Sequence, residues 1–329
     1  MTHSKLSHHE RMQALIANQP IDRTPVALWR HFPMDDQDPE MLAAATLDFQ
    51  SRYDFDLIKV TPASSFCLKD WGAEDRWEGN PEGTRRYSRH VIQSPGDWEK
   101  LILIKPEAKF LSQQLECLRI LRKEIDHDTP VIQTIFSPLS QAKNLAGGEV
   151  LLSHIRSFPE LVQIGLDIIG QSTMLFVKSV IEIGIDGIFY AVQHAQAELL
   201  THDEYVNFGK TQDVQILQQV RSLWCNSLHL HGTKVYFDLV KDLPVQIINW
   251  HDRDTDPSLE EAFQKYQGIL CGGIKRETLS LGTPDEIGRE ITDAIRQVGG
   301  RRLLLGTGCV ISSVSPHGNI KFVRSVVEQ

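Results

Sequence analysis

Eight short apolar runs recur along the chain, and a stretch of helical periodicity separates almost every pair. The runs fall at residues 25–30, 56–60, 130–135, 186–190, 226–231, 245–249, 268–272 and 302–305. Strands buried on both faces of a parallel sheet read as near-continuous apolar runs, and the helices between them are the crossovers such a sheet needs. Eight such units predict one α/β domain over 1–329, a single (β/α)8 TIM-type barrel. A doubly wound open sheet is the alternative, and the Gly-x-Gly-x-x-Gly turn it would carry after the first strand is absent.

Two features lie outside the repeat. Before the first run, Ser7 and Glu10 form a capping-box pair ahead of Met12, Leu15 and Ile16, which predicts an N-terminal helix ended by Pro20. After the second run, residues 62–92 mix Trp71, Trp77 and Tyr87 with Gly72, Gly79, Asn80, Pro81 and Gly83. That mixture predicts a loop and a small hairpin turning at 79–84. Helices are expected near 40–53, 97–103, 107–125, 140–184 with a break at 157–159, 203–223, 235–241, 258–266, 284–298 and 318–327.

Charge and cysteine usage narrow the function classes. Lys and Arg number 34 against 43 Asp and Glu, a net charge of −9 with no basic stripe, which disfavours a nucleic-acid partner. No apolar run reaches the ~20 residues of a membrane span, and residues 1–10 carry no apolar signal core, so a cytosolic protein with no membrane partner is expected. Five scattered cysteines fit a reducing compartment rather than a disulfide framework.

In a barrel, chemistry gathers at the C-terminal ends of the strands. The polar residues there are Arg30 and His31, Lys59 and Thr61, Ser137 and Gln141, Tyr190, Gln193 and His194, His229 and His231, Asn249 to Asp252, Lys275 and Arg276, and Thr307 and Cys309. His229 and His231 are two apart on a strand and so share a face. Cys309 ends the eighth run and can reach across the mouth. Two imidazoles and a thiolate suit zinc with one open position. The same residues also suit a packing role, two hydrogen-bonded histidines and a small buried thiol, and both readings are open at this point. His251 and Asp252 are candidates for acid–base work or support of a metal. Arg30 is the candidate anion clamp, because its planar fork binds carboxylate-like groups bidentately; His31, Tyr190 and Gln193 are the further substrate-binding candidates.

Several stretches together resemble the uroporphyrinogen decarboxylase superfamily: Pro25-Val-Ala-Leu-Trp-Arg30, Asp54-Phe-Asp-Leu-Ile-Lys-Val-Thr-Pro62, Leu228-His-Leu-His-Gly232, Leu281-Gly-Thr-Pro284, and Leu305-Gly-Thr-Gly-Cys309 followed by Pro316 and Asn319. The resemblance covers nearly the whole chain and implies a (β/α)8 barrel, often dimeric. It also implies one of two chemistries. The decarboxylase branch removes acetate carboxyls from a tetrapyrrole, using arginines, an aspartate after the second strand, a tyrosine after the third and a histidine after the eighth. Here Arg30 matches, but His31-Phe-Pro33 replaces the segment with a second arginine, and Thr61, Gln141 and Cys309 stand near the other positions. The methyltransferase branch moves a methyl group from a corrinoid to a thiol, with zinc held by His-x-Cys after the fifth strand and Cys after the eighth. Here that pattern reads His229-x-His231 and Cys309. The expectation is therefore a zinc-dependent methyltransferase, with His229, His231 and Cys309 as ligands, a methylcorrinoid as donor and a corrinoid protein as partner. The alternatives are decarboxylation of a tetrapyrrole acid in porphyrin biosynthesis and a non-catalytic corrinoid- or tetrapyrrole-binding barrel.

Overall fold

Parallel pairing carries the chain around a curled sheet of seven strands, and the computed structural model describes residues 5–125 and 128–328 of it. In chain order the strands are β1 (Ile58–Val60), β2 (Glu74–Arg76), β3 (Arg86–Arg89), β4 (Val131–Phe136), β5 (Gly187–Val192), β6 (Ser227–Leu230), β7 (Ile247–Trp250), β8 (Ile269–Ile274) and β9 (Leu303–Thr307). The sheet order is β1-β4-β5-β6-β7-β8-β9, every neighbour parallel. β4 to β9 are buried at every residue, as strands covered by helices outside and packed side chains inside must be. The architecture is a TIM-type barrel with an N-terminal helix and a hairpin excursion, β2 and β3, after the second barrel segment.

The first barrel segment differs from its expectation. Residues 25–30 close the ring, but Val26 forms only an isolated bridge to Leu305 rather than a strand. Ala27 N donates to Leu305 O (2.9 Å), Leu305 N to Pro25 O (2.9 Å), and Asp56 N to Val26 O (2.8 Å). Two local facts stop a longer ladder. Pro25 has no N–H to give, and Val26 N donates to the Asp56 carboxylate (2.8 Å) instead of a strand carbonyl.

That carboxylate is the centre of the barrel floor. Asp56 also takes Arg11 Nη1 (2.7 Å), Arg23 Nη1 (2.6 Å) and Nη2 (2.9 Å), and touches His8 Nδ1 (2.9 Å). Helix His8–Ile16, which carries Arg11, starts on the expected Ser7–Glu10 capping box. It is thereby fixed to the closing segment and to β1.

The helical stretch at 140–184 is three helices: Pro138–Ala146, Gly148–Ser157 and Pro159–Ile183. The break at Pro159 is as expected; the one at Gly147, where φ is +87°, is additional. Helix Pro159–Ile183 is long and apolar enough by length and composition to cross a membrane, although Asp167 and Lys178 interrupt it. Half of that apolar stretch is buried in the fold, with Val162, Leu166, Ile169, Phe176 and Val177 in the core.

The hairpin lies across the mouth of the barrel. Pro81 O accepts from Ser313 N (2.7 Å), Ser313 Oγ (2.8 Å) and Ser312 Oγ (3.1 Å), and Glu82 pairs with Arg276 (3.0 Å). Gly83 has φ +77°, and a Cβ there would come within 2.5 Å of His31 Cβ, so glycine is required where the hairpin presses on the rim.

Candidate metal and substrate site

Strand register assembles the site. His229 on β6 pairs with Asn249 on β7, and Leu230 pairs with Trp250, so His231 and His251 leave their strands level with each other. Cys309 follows β9 by two residues and turns toward them. The ligating atoms of His229, His231, His251 and Cys309 all lie within 4.8 Å of one another. Cys309 Sγ is 3.9 Å from His231 Nδ1, and the three imidazole centroids are 5.2–6.0 Å apart.

The electrostatics favour a thiolate among imidazoles. Burial alone would raise the Cys309 thiol, but His229, His231 and His251 outweigh it and hold the thiol well below its ordinary value. Burial lowers His229, with Cys309 opposing. His229 gives its Nδ1 to Asn249 Oδ1 (2.7 Å), which leaves Nε2 toward the cluster. His251 Nε2 is buried with no hydrogen-bond partner. A buried nitrogen without a partner is costly, and a metal ion is a partner that three imidazoles and a thiolate are chemically fitted to hold.

A family model for uroporphyrinogen decarboxylase (URO-D) matches residues 7–329. The chain belongs to the URO-D family. Among curated relatives, the methylcobamide:CoM methyltransferase MtbA of Methanosarcina acetivorans is 21% identical over 328 residues, covering 95% of each chain. The methylcobamide:CoM methyltransferase MtaA of Methanosarcina barkeri is 22% identical, covering 97% of this chain and 96% of its own. Among solved structures, a methyltransferase from Methanosarcina mazei superposes with a TM-score of 0.87 at 19% identity, covering 98% of both chains. A B12-independent methionine synthase from Shewanella sp. W3-18-1 shares the fold more distantly, with a TM-score of 0.57 at 13% identity over 93% of this chain and 94% of its own.

Beside the cluster, this URO-D chain has a pocket of about 190 Å³ whose lining includes His31, Ser64, Arg85, Tyr87, Lys143 and Gln193. The same lining holds no carboxylate. His31 Nδ1 and Gln193 Oε1 are buried without partners. Burial brings His31 down to about 4, with Lys59 adding to the effect and Cys309 opposing it, so the ring is neutral. Lys143 is half-buried, and burial lowers it; among the described residues no hydrogen bond or ion pair holds it. His194, between Lys143 and His231 electrostatically, is pushed down to about 3 by burial and those two groups, and its Nδ1 also lacks a partner. Deeper in the barrel, Lys59 donates to Thr61 Oγ1 (3.1 Å) and lies 4.5 Å over the Phe189 ring; burial lowers it to about 7.

The structure brings together His229, His231 and Cys309, the three expected ligands, and adds His251, whose expected role was acid–base or supporting. His31 and Gln193 line the neighbouring pocket. Three other expected site residues lie elsewhere. Arg30 points away from the cluster into a groove against helix Pro39–Tyr53, over the Phe32 ring and near Asp35 and Tyr53. Tyr190 follows Phe189, which faces into the barrel, so it faces out: its hydroxyl donates to Asp213 (2.7 Å), which also takes Tyr205 (2.8 Å). Asp252 accepts the Gly273 N–H through both oxygens (3.1 Å each) and anchors the loop after β7 to β8; burial pushes it up to about 7.

Lys59, His194 and Asn249 are visible in the sequence as strand-end polar residues without a role. Lys143 carries no such mark, because it sits in the helix after β4 rather than at a strand end. The pairing of His231 with His251 has a legible sign: each follows directly on a strand, one register step beyond Leu230 and Trp250.

Proposed function

We propose that this chain is a zinc-dependent methyltransferase that moves a methyl group from a methylcorrinoid to a thiol. The carrying observation is the four-residue cluster at the C-terminal mouth, where one thiol and three imidazoles converge within 4.8 Å. Relatives named methylcobamide:CoM methyltransferases over nearly their full length support the donor and the acceptor class.

His229, His231 and Cys309 would hold the metal, and His251, through its unpartnered Nε2, would fill the fourth position that an incoming thiol takes over. When bound, zinc supplies Lewis acidity that lowers the pKa of an incoming thiol and presents it as a thiolate. A neutral imidazole rather than a thiolate at His231 would leave a metal held there more positive, which would favour a tightly held, less readily released thiolate. The protein's own part is to bind and orient the acceptor. The pocket beside the cluster offers Lys143 and the half-buried His31 and Gln193 to the end of the molecule away from its sulfur. The hairpin, pinned at Pro81 to Ser312 and Ser313, roofs that pocket and limits water. The donor then approaches from the open side of the mouth, presented by a corrinoid protein.

The test is thiol-dependent loss of the methyl–cobalt absorbance when zinc-loaded protein is mixed with methylcobalamin and a panel of small thiols. Demethylation that requires both zinc and thiol is the expected result. Its absence, with carbon dioxide released from uroporphyrinogen instead, would replace this reading with the decarboxylase one.

A further inference from the structure

We infer that Asn249 is a positioning residue that locks His229 in its Nδ1–H tautomer and ties that ring to the Cys309 loop. The inference rests on the zinc reading for its purpose, but its geometry stands alone. Asn249 sits on β7 with no exposed surface. Its Nδ2 donates to two backbone carbonyls, Cys271 O (2.9 Å) and Thr307 O (3.0 Å). Both amide hydrogens are used, and the opposite orientation would aim the amide oxygen's lone pairs at two carbonyl oxygens. The amide therefore has one orientation, with Oδ1 toward His229.

Oδ1 is an acceptor only, and it lies 2.7 Å from His229 Nδ1. The proton must be on Nδ1, and the lone pair on Nε2, facing the cluster. An imidazole left to itself can carry its proton on either nitrogen; here a residue on the neighbouring strand removes the choice. This is the outer-layer bond that orients a metal-ligating histidine, with a neutral amide in place of the usual carboxylate or carbonyl.

The same amide reaches the other side of the site. Thr307, whose carbonyl it holds, also donates its hydroxyl to Cys309 O (2.6 Å). Through one side chain the β6 ligand, the β8 backbone and the β9 loop that carries Cys309 are fixed to one another. Asn249's own three contacts all reach residues distant in sequence.

The experiment compares wild type, Asn249→Leu and Asn249→Asp. Zinc affinity is read by competition with a chelator, and the His229 tautomer by 15N NMR of the metal-free protein. Asn249→Leu keeps the volume and removes the acceptor, so zinc affinity should fall about 10- to 100-fold. Asn249→Asp keeps an acceptor for Nδ1 and, protonated beside the two carbonyls, a donor to one of them, so its affinity should stay above that of the Leu variant. The wild type should show Nδ1–H without metal. A folded Leu variant with unchanged zinc affinity, an Asp variant as weak as Leu, or an Nε2–H tautomer in the wild type would each overturn the inference. If the Leu variant does not fold, the wild-type tautomer decides. A wild type that binds no zinc but shows Nδ1–H would sink the zinc reading and leave the lock standing.

Discussion

At the floor of the barrel, the Asp56 carboxylate meets Arg11, Arg23, His8 and the Val26 amide, and of that network's side-chain atoms among the described residues only Arg23 Nε is buried without a partner. At the mouth, His31 Nδ1, Gln193 Oε1, His194 Nδ1 and His251 Nε2 are buried without a hydrogen-bond partner, and Lys143 has no counter-charge, among the described residues. Both ends gather the same residue types. The floor satisfies its charges internally, and the arrangement fixes structure. The mouth leaves them open, and folding energy is given up for groups that something else must satisfy. Burial of polar residues therefore does not mark a site, and neither does a single unpartnered atom such as Gln219 Oε1; several gathered at one end of the barrel do.

The sharpest way to break this contrast is to open the floor. Asp56→Ala leaves Arg11 and Arg23 buried without their shared counter-charge, and should cost about 3–5 kcal/mol of stability by denaturant titration. Burial would raise Asp56, but His8, Arg23 and Val26 hold its carboxyl well below the usual range. The sign follows: with a depressed native pKa, this carboxylate stabilises fully above its unfolded value of about 3.9 and loses that contribution as pH falls below it. Asp56→Asn should remove this part of the acid dependence.

At the mouth the pattern inverts. If the cluster serves metal rather than structure, His231→Ala and His251→Ala should each lose much of the bound zinc while the metal-free protein stays within about 1 kcal/mol of wild-type stability. A large loss of metal-free stability would show that the cluster belongs with the floor. Next in size, Lys143→Met should weaken acceptor binding about tenfold, the scale of one charged hydrogen bond, seen as a raised KM with kcat little changed. Smallest of all, Arg30→Lys should leave zinc content and acceptor KM unchanged and move stability by no more than about 0.5 kcal/mol, since Arg30 faces the Pro39–Tyr53 helix.

The barrel and its metal-site candidates were legible because period-2 and period-3.6 patterns report on burial, and His229 and His231 share a face by spacing alone. Arg30 and Tyr190 show where such reading stops. Both end apolar runs, but which face a strand-end side chain takes depends on neighbouring strands: Phe189 takes the interior and sends Tyr190 out to Asp213. The closing segment reads as a strand from composition, yet Pro25 and the Asp56 bond to Val26 reduce it to a bridge. Lys143 enters the pocket from a helix, where no strand-end rule looks.

The central claim is that the mouth holds a metal. The direct measurement is the zinc content of the wild type, purified without chelator and then reconstituted, beside Cys309→Ser. Ligation through a thiolate predicts stoichiometric zinc in the wild type and little in the serine variant, because a hydroxyl is a far poorer ligand. A wild type that stays empty after reconstitution, or a serine variant that keeps its zinc, would contradict the account.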